Sequence, residues 1–425
     1  MNAANALNTM SAVMRMPLRT VPASPTLPVV QVNTAPMRVM MVHNAYQQAG
    51  GEDGVVDAEL ALLRSHGHEV HELRRHNDEL ASMSPIAAAG QAVWSVASKA
   101  QARELIELTE PDVVHVHNTF SLISPSVYWA CAQAGVPVVQ TLHNFRLACP
   151  QAMLLREGKP CELCIGRMPW PALVHGCNPG SRARTAVMVG MIGVHRALGT
   201  WQHKVTRYIA LNEFCRNKFI EAGLPAHKIV VKPNFVAAGP LPSGLRSGVL
   251  FVGRLAPEKG IEVLGEAWSN VAHRAPALTL RVAGVGAQDW RLANQHGVTL
   301  LGALGKAAVR AEMQRAQVLV LPSIWYENMP LTLIEAYACG LPVIASRIGA
   351  LAELVEHGET GLLFEPGDAR GLADALQWAT GHPEAMLVMG ANARARYEAR
   401  YTPDINYAQT LAVYRSAIDE VKASA

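Results

Sequence analysis

Two Rossmann-like α/β domains, each built on a parallel sheet and facing each other across a cleft, are the fold the sequence predicts. Three observations carry that expectation. All-apolar runs such as Val249-Leu-Phe-Val252 and Val318-Leu-Val-Leu321 have the pattern of parallel strands buried on both faces. Helical stretches with apolar residues at i, i+3 and i+4 separate such runs, so strand and helix alternate along the chain. Midway, Pro233 to Gly248 holds three prolines and three glycines after the last periodic strand, the composition of a linker. A length of 425 residues suits two domains of about 150–200 residues each.

Composition sets further bounds. Half of the residues are hydrophobic and 17% are charged, which supports a sizeable core and excludes wholesale disorder. A net charge of +3 is too small to argue for a nucleic-acid partner. The longest apolar runs, such as Ala186 to Val194, fall short of the roughly 18–20 residues that span a bilayer. The expected chain is soluble and cytoplasmic, with peripheral contact at the inner face of a membrane as a further option.

In chain order, residues 1–36 are rich in Ala, Met, Pro and Thr; Arg15, Pro17, Arg19 and Pro22 break any signal-peptide core. They read as a disordered leader, or as a mis-assigned start with Met37 as the true one. The first domain is expected over 37–235, with strands at Arg38–His43, His68–Leu73, Val113–Val116, Val136–Leu142, Tyr208–Leu211 and Ile229–Lys232. Helices are expected from about Asp53 to Ser65 and over about 85–108, 124–133 and 184–199. A cysteine-bearing insertion occupies about 145–183. After a linker at 236–248, the second domain runs over 249–400. A last helix at Pro403–Ala417, within 401–425, could cross back onto the first domain.

The most informative stretch runs from Val318 to Phe364, a strand–loop–helix–strand unit. Pro330 sits at the helix start, and Gly340 with Pro342 close its far end. Glu327 in the loop and Glu335 in the helix, eight residues apart, can each accept two hydrogen bonds from adjacent hydroxyls. Between them the helix N-terminus offers N–H groups and a positive dipole end to an anion. Hydroxyls beside a phosphate describe a sugar nucleotide.

This stretch resembles the E-x7-E region of retaining glycosyltransferases of the GT-B fold, glycosyltransferase family 4. The resemblance rests on both glutamates, Asn328-Met329-Pro330 between them, Ala338-Cys-Gly-Leu-Pro-Val-Ile-Ala345 after them and the tail Gly358-Glu-Thr-Gly-Leu-Leu-Phe364. It extends from Met37 to about Tyr414. It implies that Glu335 grips ribose hydroxyls, that Glu327 contacts the transferred sugar, and that Asn328, Met329, Pro330 and Leu331 line the donor site.

Gly253-Arg-Leu-Ala-Pro-Glu-Lys-Gly260 follows the first strand of the second domain. Arg254 and Lys259 flank a loop entering a helix, suited to clamping a diphosphate by fork and point charge. The resemblance gives Gly253, Arg254 and Lys259 that role, with Lys259 acting on transfer and barely on stability. No Asp-x-Asp metal motif is evident, so no catalytic metal is expected. Ala283-Gly-Val-Gly-Ala-Gln-Asp289 imitates a dinucleotide fingerprint, but its third glycine position is Asp289, so a tight strand–helix turn near the nucleotide base is expected instead.

His-Asn recurs at His43-Asn44, His76-Asn77, His117-Asn118 and His143-Asn144, each at the C-terminal end of a predicted strand. Four parallel strands would aim these pairs, with the Gly50-Gly51 loop, at one edge as a hydroxyl-binding acceptor rim. By resemblance His117 is the active-site histidine, contacting the donor sugar without acting as a nucleophile. Cys149, Cys161, Cys164 and Cys177 form C-x11-C-x2-C-x12-C, a spacing that fits a structural zinc; free buried thiols or disulfides are the alternatives. From Leu163 to Asn212 there is no acidic residue but six Arg and Lys, which suggests an anionic membrane face, a phosphate-bearing acceptor or a solvated basic surface.

The resulting expectation is a retaining hexosyltransferase using a nucleoside diphosphate sugar and a saccharide or lipid-linked acceptor, in cell-surface polysaccharide synthesis. A catalytically silent sugar-nucleotide binder and a Rossmann-type oxidoreductase are the rivals.

Overall fold

The computed structural model describes residues 35–47, 50–178, 181–242, 244–272, 275 and 277–424. The leader expected over 1–36 lies outside them except for Ala35 and Pro36. In chain order the first domain holds β1 (Arg38–Ala45), β2 (Glu69–His76), β3 (Val113–Asn118), β4 (Val138–Thr141), a ribbon of β5 (Leu155–Arg156) and β6 (Lys159–Pro160), β7 (Arg207–Ala210) and β8 (Ile229–Val231). Its sheet runs β2-β1-β3-β4-β7-β8, and every pair is parallel. The second domain holds β9 (Val249–Val252), β10 (Leu280–Ala283), β11 (Val298–Gly302), β12 (Val318–Leu321), β13 (Val343–Ser346) and β14 (Gly361–Phe364). Its order is β11-β10-β9-β12-β13-β14, again all parallel.

Each sheet therefore reverses its winding once, between β1 and β3 in the first and between β9 and β12 in the second. Crevices outside the carboxyl ends of strands at such switch points are where open α/β sheets bind ligands. Here those ends carry His43-Asn44 and His117-Asn118 on one side, and Gly253–Lys259 and Pro322–Pro330 on the other.

Local chemistry explains where the elements differ from expectation. The first helix spans Gly51–Ser65, starting two residues early because Asp53 turns back to accept the Gly50 N–H at 2.8 Å. The helix expected over 85–108 is two, Pro85–Val93 and Val96–Thr109. Ser95 splits them: its hydroxyl accepts the Ser98 N–H at 3.2 Å, and its own N–H donates to Ser124 Oγ at 2.8 Å.

The two domains meet through the β12 loop. The Asn212 amide donates to the Asn328 carbonyl, and the Asn328 amide donates to the Leu142 carbonyl at 3.3 Å. Glu353 of the second domain accepts the Glu213 and Phe214 N–H groups at 3.1 and 2.8 Å, capping helix Glu213–Glu221 of the first. Phe214 also meets Tyr326 edge-on at 4.9 Å. The last helix, Pro403–Ser424, returns to the first sheet, where Tyr407, Leu411, Tyr414 and Ala417 pack on Val39, Met41, Val113, Val139 and Ile209.

Beneath that helix lies a buried ion pair. Lys232 Nζ sits 2.6 Å from Glu59 Oε1, both side chains at most 3% exposed, and donates to Asn406 Oδ1 at 3.2 Å. Burial alone would raise the Glu59 carboxyl; the Lys232 ammonium, with His115 behind it, outweighs burial and holds it below the usual range. Removing one partner of such a pair costs about 3–5 kcal/mol. Lys232→Met is expected to lose about that much stability in urea unfolding, and the double change Lys232→Met with Glu59→Gln to recover most of it; equal losses in the two variants would contradict the pairing.

Candidate active site

On the second-domain side of the cleft, glycines let three loops touch. A Cβ on Gly260, at φ +72°, would lie 1.8 Å from the Pro322 carbonyl; one on Gly284 would lie 1.8 Å from the Gly253 carbonyl. One on Gly286 would meet the Leu255 carbonyl at 2.4 Å. Gly253 N–H donates to Ala283 O and Leu255 N–H to Val285 O, both at 3.0 Å. The Gly284-Val-Gly286 turn thus buttresses the Gly253–Lys259 loop, and only a short 3₁₀ turn, Asp289–Arg291, follows it. The turn is tight as expected, but the helix expected after it is replaced by that 3₁₀ turn, so no helix N-terminus is present for a dinucleotide.

With the loops so placed, Lys259 Nζ stands 2.6 Å from Glu327 Oε1. The same oxygen accepts the Ser323 hydroxyl at 2.8 Å and the Trp325 indole N–H at 3.0 Å. Glu327 is buried and Lys259 is 21% exposed at its side chain, so removing Lys259 would strand a carboxylate with two neutral donors. That corrects the expectation that Lys259 matters little to stability. Arg254 stands apart, with its side chain 66% exposed, donating to Glu258 at 2.9 Å from the same loop.

Pro330 occupies the N-cap of helix Leu331–Ala338; the N–H groups of Leu331 and Thr332 lack intrahelical acceptors, while Leu333 N–H donates to the Pro330 carbonyl at 3.1 Å. Across the cleft, a Cβ on Gly51 would come within 3.9 Å of the Leu331 side chain, so the Gly50-Gly51 loop faces this helix start. Glu335 lies further along the helix; burial raises its carboxyl, and Lys306 and Arg310 pull it back down. Met329 is no open donor contact: its side chain is buried in the second core and its sulfur accepts the Asn234 N–H at 3.3 Å. Asn328 spends its amide and carbonyl on the domain contact described above.

On the first-domain side the four His-Asn pairs do not form one rim. Asn44 is fully buried, donating to Asn77 Oδ1 at 2.9 Å and accepting the Leu122 N–H at 2.8 Å. Asn118 donates to the Asn44 carbonyl at 2.7 Å and accepts the Phe120 N–H at 3.0 Å. These amides tie strand ends to loops, because backbone groups leaving a buried sheet need partners. His76 caps a 3₁₀ turn, with its ring 46% exposed and paired with Asp78. Asn144 does reach the cleft side, donating to Tyr46 Oη and Glu52 Oε2, both at 3.3 Å.

The other three histidines cluster. His117 Nδ1 and His143 Nε2 are 2.8 Å apart, and His43 Nε2 lies 2.8 Å from Asp53 Oδ1. His117 is 3% exposed, and burial with neighbouring His115 and His143 holds it well below its ordinary pKa. His143 is pushed down to about 3, chiefly by burial. His143 and Asn144 line a pocket with Thr119, Phe120 and Arg146, the Arg146 guanidinium stacked 4.4 Å over the Phe120 ring.

Sequence reasoning missed Glu59, Lys232, Glu52 and Arg146. Glu59 left a signal, an acid on the apolar stripe Val55-Val56-Leu60-Leu63. Glu52 accepts the Tyr46 hydroxyl at 2.9 Å, and burial raises its carboxyl to about 7. Among the described residues Glu59, His115 and His117 stand close enough to hold a metal. However, the Lys232 ammonium already neutralises Glu59, and both nitrogens of His115 are bonded, to Tyr414 and Thr141 at 2.8 Å.

The four cysteines of the insertion are free thiols gathered in one corner, each within electrostatic range of Cys164 or Cys177. Burial, then the neighbouring Cys149, pushes Cys164 up to about 11. No three of the four sulfurs lie within 4.8 Å of one another, so the thiol form has not closed into a ligand set.

The chain is similar to known proteins over most of its length. Residues 50–238 match the family model described as "Glycosyltransferase Family 4" and residues 246–381 the model described as "Glycosyl transferases group 1". The chain is 26% identical over 391 residues to the phosphatidyl-myo-inositol mannosyltransferase of Mycobacterium leprae, covering 85% of this chain and 93% of that one. It is 37% identical to the D-inositol 3-phosphate glycosyltransferase of Rhodococcus opacus over 158 residues, 34% of this chain and 35% of that one. Anabaena HepE in complex with UDP-glucose shares the fold at a TM-score of 0.61 and 19% identity, over 92% of this chain and 100% of that chain.

Because Gly260 combines a left-handed backbone with a carbonyl contact, Gly260→Ala is expected to lose about 2–4 kcal/mol in chemical denaturation. A loss below about 0.5 kcal/mol would show that the two loops are not pressed together as described.

Proposed function

The chain belongs to glycosyltransferase family 4, and on that premise we propose that it is a retaining hexosyltransferase. Its donor is a nucleoside diphosphate sugar, its acceptor a saccharide or lipid-linked saccharide, and its product part of a cell-surface polysaccharide. The observation that carries the reading is the Lys259–Glu327 pair, a cation and a carboxylate converging from two loops beside a helix N-terminus. The UDP-glucose held by HepE supports the donor class.

In this reading Lys259, Arg254 and the first N–H groups of helix Leu331–Ala338 bind the diphosphate. As the bond from the anomeric carbon to the diphosphate oxygen breaks, the electron pair leaves on that oxygen, where these groups stabilise it. The acceptor hydroxyl attacks from the same face and passes its proton to the departing phosphate oxygen, so configuration is kept. Glu327 lies beside the positive charge developing on the sugar, and Glu335 holds the ribose. Arg254, free of the Lys259–Glu327 pair, can swing from Glu258 onto the diphosphate.

The two glutamates then differ in kinetics. Glu335→Gln should raise the donor KM and weaken nucleoside diphosphate binding, because a ribose contact exists in ground and transition states alike. Glu327→Gln should lower kcat and leave nucleotide binding nearly unchanged. Lys259→Ala should lower transfer by about one to two orders of magnitude, the worth of a charge-assisted contact of about 1.5–3 kcal/mol, and also lower the Tm. A panel of nucleoside diphosphate sugars, read by nucleotide release and by NMR of the new linkage, tests the scheme. An inverted linkage, or exchanged phenotypes for the two glutamates, would overturn it.

Two features of the insertion belong to the proposal. A structural zinc on Cys149, Cys161, Cys164 and Cys177 is supported by four thiols sharing one corner, and it requires them to draw together, since Zn–S bonds are about 2.3 Å. Metal analysis of never-chelated protein should find about one zinc per chain, lost in Cys161→Ser; none in the parent protein would reject it. Contact with an anionic membrane face is supported by Trp170 and Val174, 58% and 72% exposed, beside the exposed Arg182 and Arg184. No helix among the described residues is long and apolar enough to cross a membrane.

A further inference from the structure

Glu327 leaves a tight turn. Its N–H donates to the Trp325 carbonyl at 3.1 Å, which makes Tyr326 the middle residue of a three-residue turn. The Glu327 side chain points back into the second domain, toward Lys259, Ser323 and Trp325. The Tyr326 side chain goes the other way and packs against the cores of both domains. Its ring meets Phe214 of the first domain edge-on at 4.9 Å. A Cβ on Gly349 would lie 2.9 Å from Tyr326 Cδ1, so the start of helix Gly349–Leu354 closes over the same ring.

What the Tyr326 hydroxyl meets is the cysteine insertion. Glu162 lies between Cys161 and Cys164, in a turn closed by the Ile165 N–H donating to the Glu162 carbonyl at 3.0 Å. Lys218 Nζ holds the Glu162 carboxylate, 3.0 and 3.1 Å from its two oxygens, and belongs to helix Glu213–Glu221, which also carries Phe214. Gly166, at φ +70°, brings the turn against the end of that helix: a Cβ there would lie 2.9 Å from the Glu221 carbonyl. The Tyr326 hydroxyl donates to the Glu162 carboxylate; burial, and then that bond, push the hydroxyl up to about 12. Lys218 has a second partner in Glu221 at 2.8 Å, so a change at Glu162 does not leave the ammonium alone.

We propose that Tyr326 and Glu162 are positioning residues for Glu327, and that the Cys161–Cys164 turn acts on turnover through them. Anchored on Lys218, that turn fixes the Tyr326 hydroxyl in the first domain, and the three-residue turn passes the position on to the next carboxylate. Asn328 and Glu353 already join the domains without it. What the hydroxyl–carboxylate bond adds is a fixed direction one residue from Glu327, where a displacement of about 1 Å can cost about a hundredfold in rate. The inference rests on the transferase reading for the role of Glu327; the contact itself does not.

Kinetics and a spectroscopic probe test it on the full-length protein. Tyr326→Phe keeps the ring packing and removes only the hydroxyl; Glu162→Ala removes its acceptor. Each should lower kcat about tenfold, the scale of one hydrogen bond to a charged group, with donor KM and nucleoside diphosphate binding within about twofold of the parent. Glu162→Gln, which keeps an acceptor oxygen, should recover part of the loss. The double variant should lose no more than the worse single one, because both remove the same bond. A kcat within about twofold of the parent in Tyr326→Phe, a loss confined to KM, or losses that multiply in the double variant overturns the proposal. Independently of activity, the ¹⁹F NMR signal of Trp325 in 5-fluorotryptophan-labelled protein, identified by its loss in Trp325→Phe, should move in Tyr326→Phe and in Glu162→Ala. The signal of the exposed Trp290, outside the contact, should stay in place. An unmoved Trp325 signal overturns the proposal. If the parent protein releases no nucleotide from any nucleoside diphosphate sugar, the transferase reading fails, and the Trp325 signal still judges the contact.

Discussion

One ammonium group, Lys232, allows the first domain to keep a row of ionisable side chains in a dry interior. Glu59, His115 and His117 lie between the first sheet and the helices that cover it, where an isolated charge would be expensive. Lys232 reaches them from the end of β8, and Asn406 of the last helix holds Lys232 in turn. The pair therefore joins three parts far apart in the chain: the helix after β1, the last strand of the first sheet, and the helix that returns from the second domain. Tyr414 on His115 and Tyr407 on His68 extend the same seam.

The cleft depends on a different constraint, the closeness of backbones. Gly260 against Pro322, and Gly284 against Gly253, press the loops after β9, β10 and β12 into one layer. That layer delivers Lys259 to Glu327 although sixty-eight residues separate them. The β12 loop then touches the first domain through Asn328 and Tyr326, so the loop carrying the carboxylate is also the loop by which the domains meet. A change in the angle between the domains would move Glu327 relative to the histidines of β3 and to His143 just after β4.

Much of the fold was legible in the sequence because buried parallel strands are written as continuous apolar runs. Val249–Val252 and Val318–Leu321 were bounded to the residue, since polar or turn residues stop them abruptly. The break at Ser95 was not legible, because a serine between two helical stretches caps only when a neighbour, here Ser124, takes its N–H. The His-Asn repeat was visible, but its meaning was mistaken for the asparagines. An amide at a strand end has the same letter whether it meets a ligand or the next loop, and Asn44, Asn77 and Asn118 meet backbone, one another or the Ser121 hydroxyl.

By itself the sequence determined the alternation of elements, the linker, the family and the two carboxylates eight residues apart, because these are local patterns of hydrophobicity, turn chemistry and spacing. The tertiary structure alone decided which charges pair. Glu59 and Lys232 are 173 residues apart and Lys259 and Glu327 are 68, and nothing local marks either as a partner. It decided as well that His143 stands outside His117, since both end parallel strands and only the sheet order and the packing of the covering helices rank their burial. A side chain's exposure and protonation depend on everything folded around it, and that sum is not written at its own position.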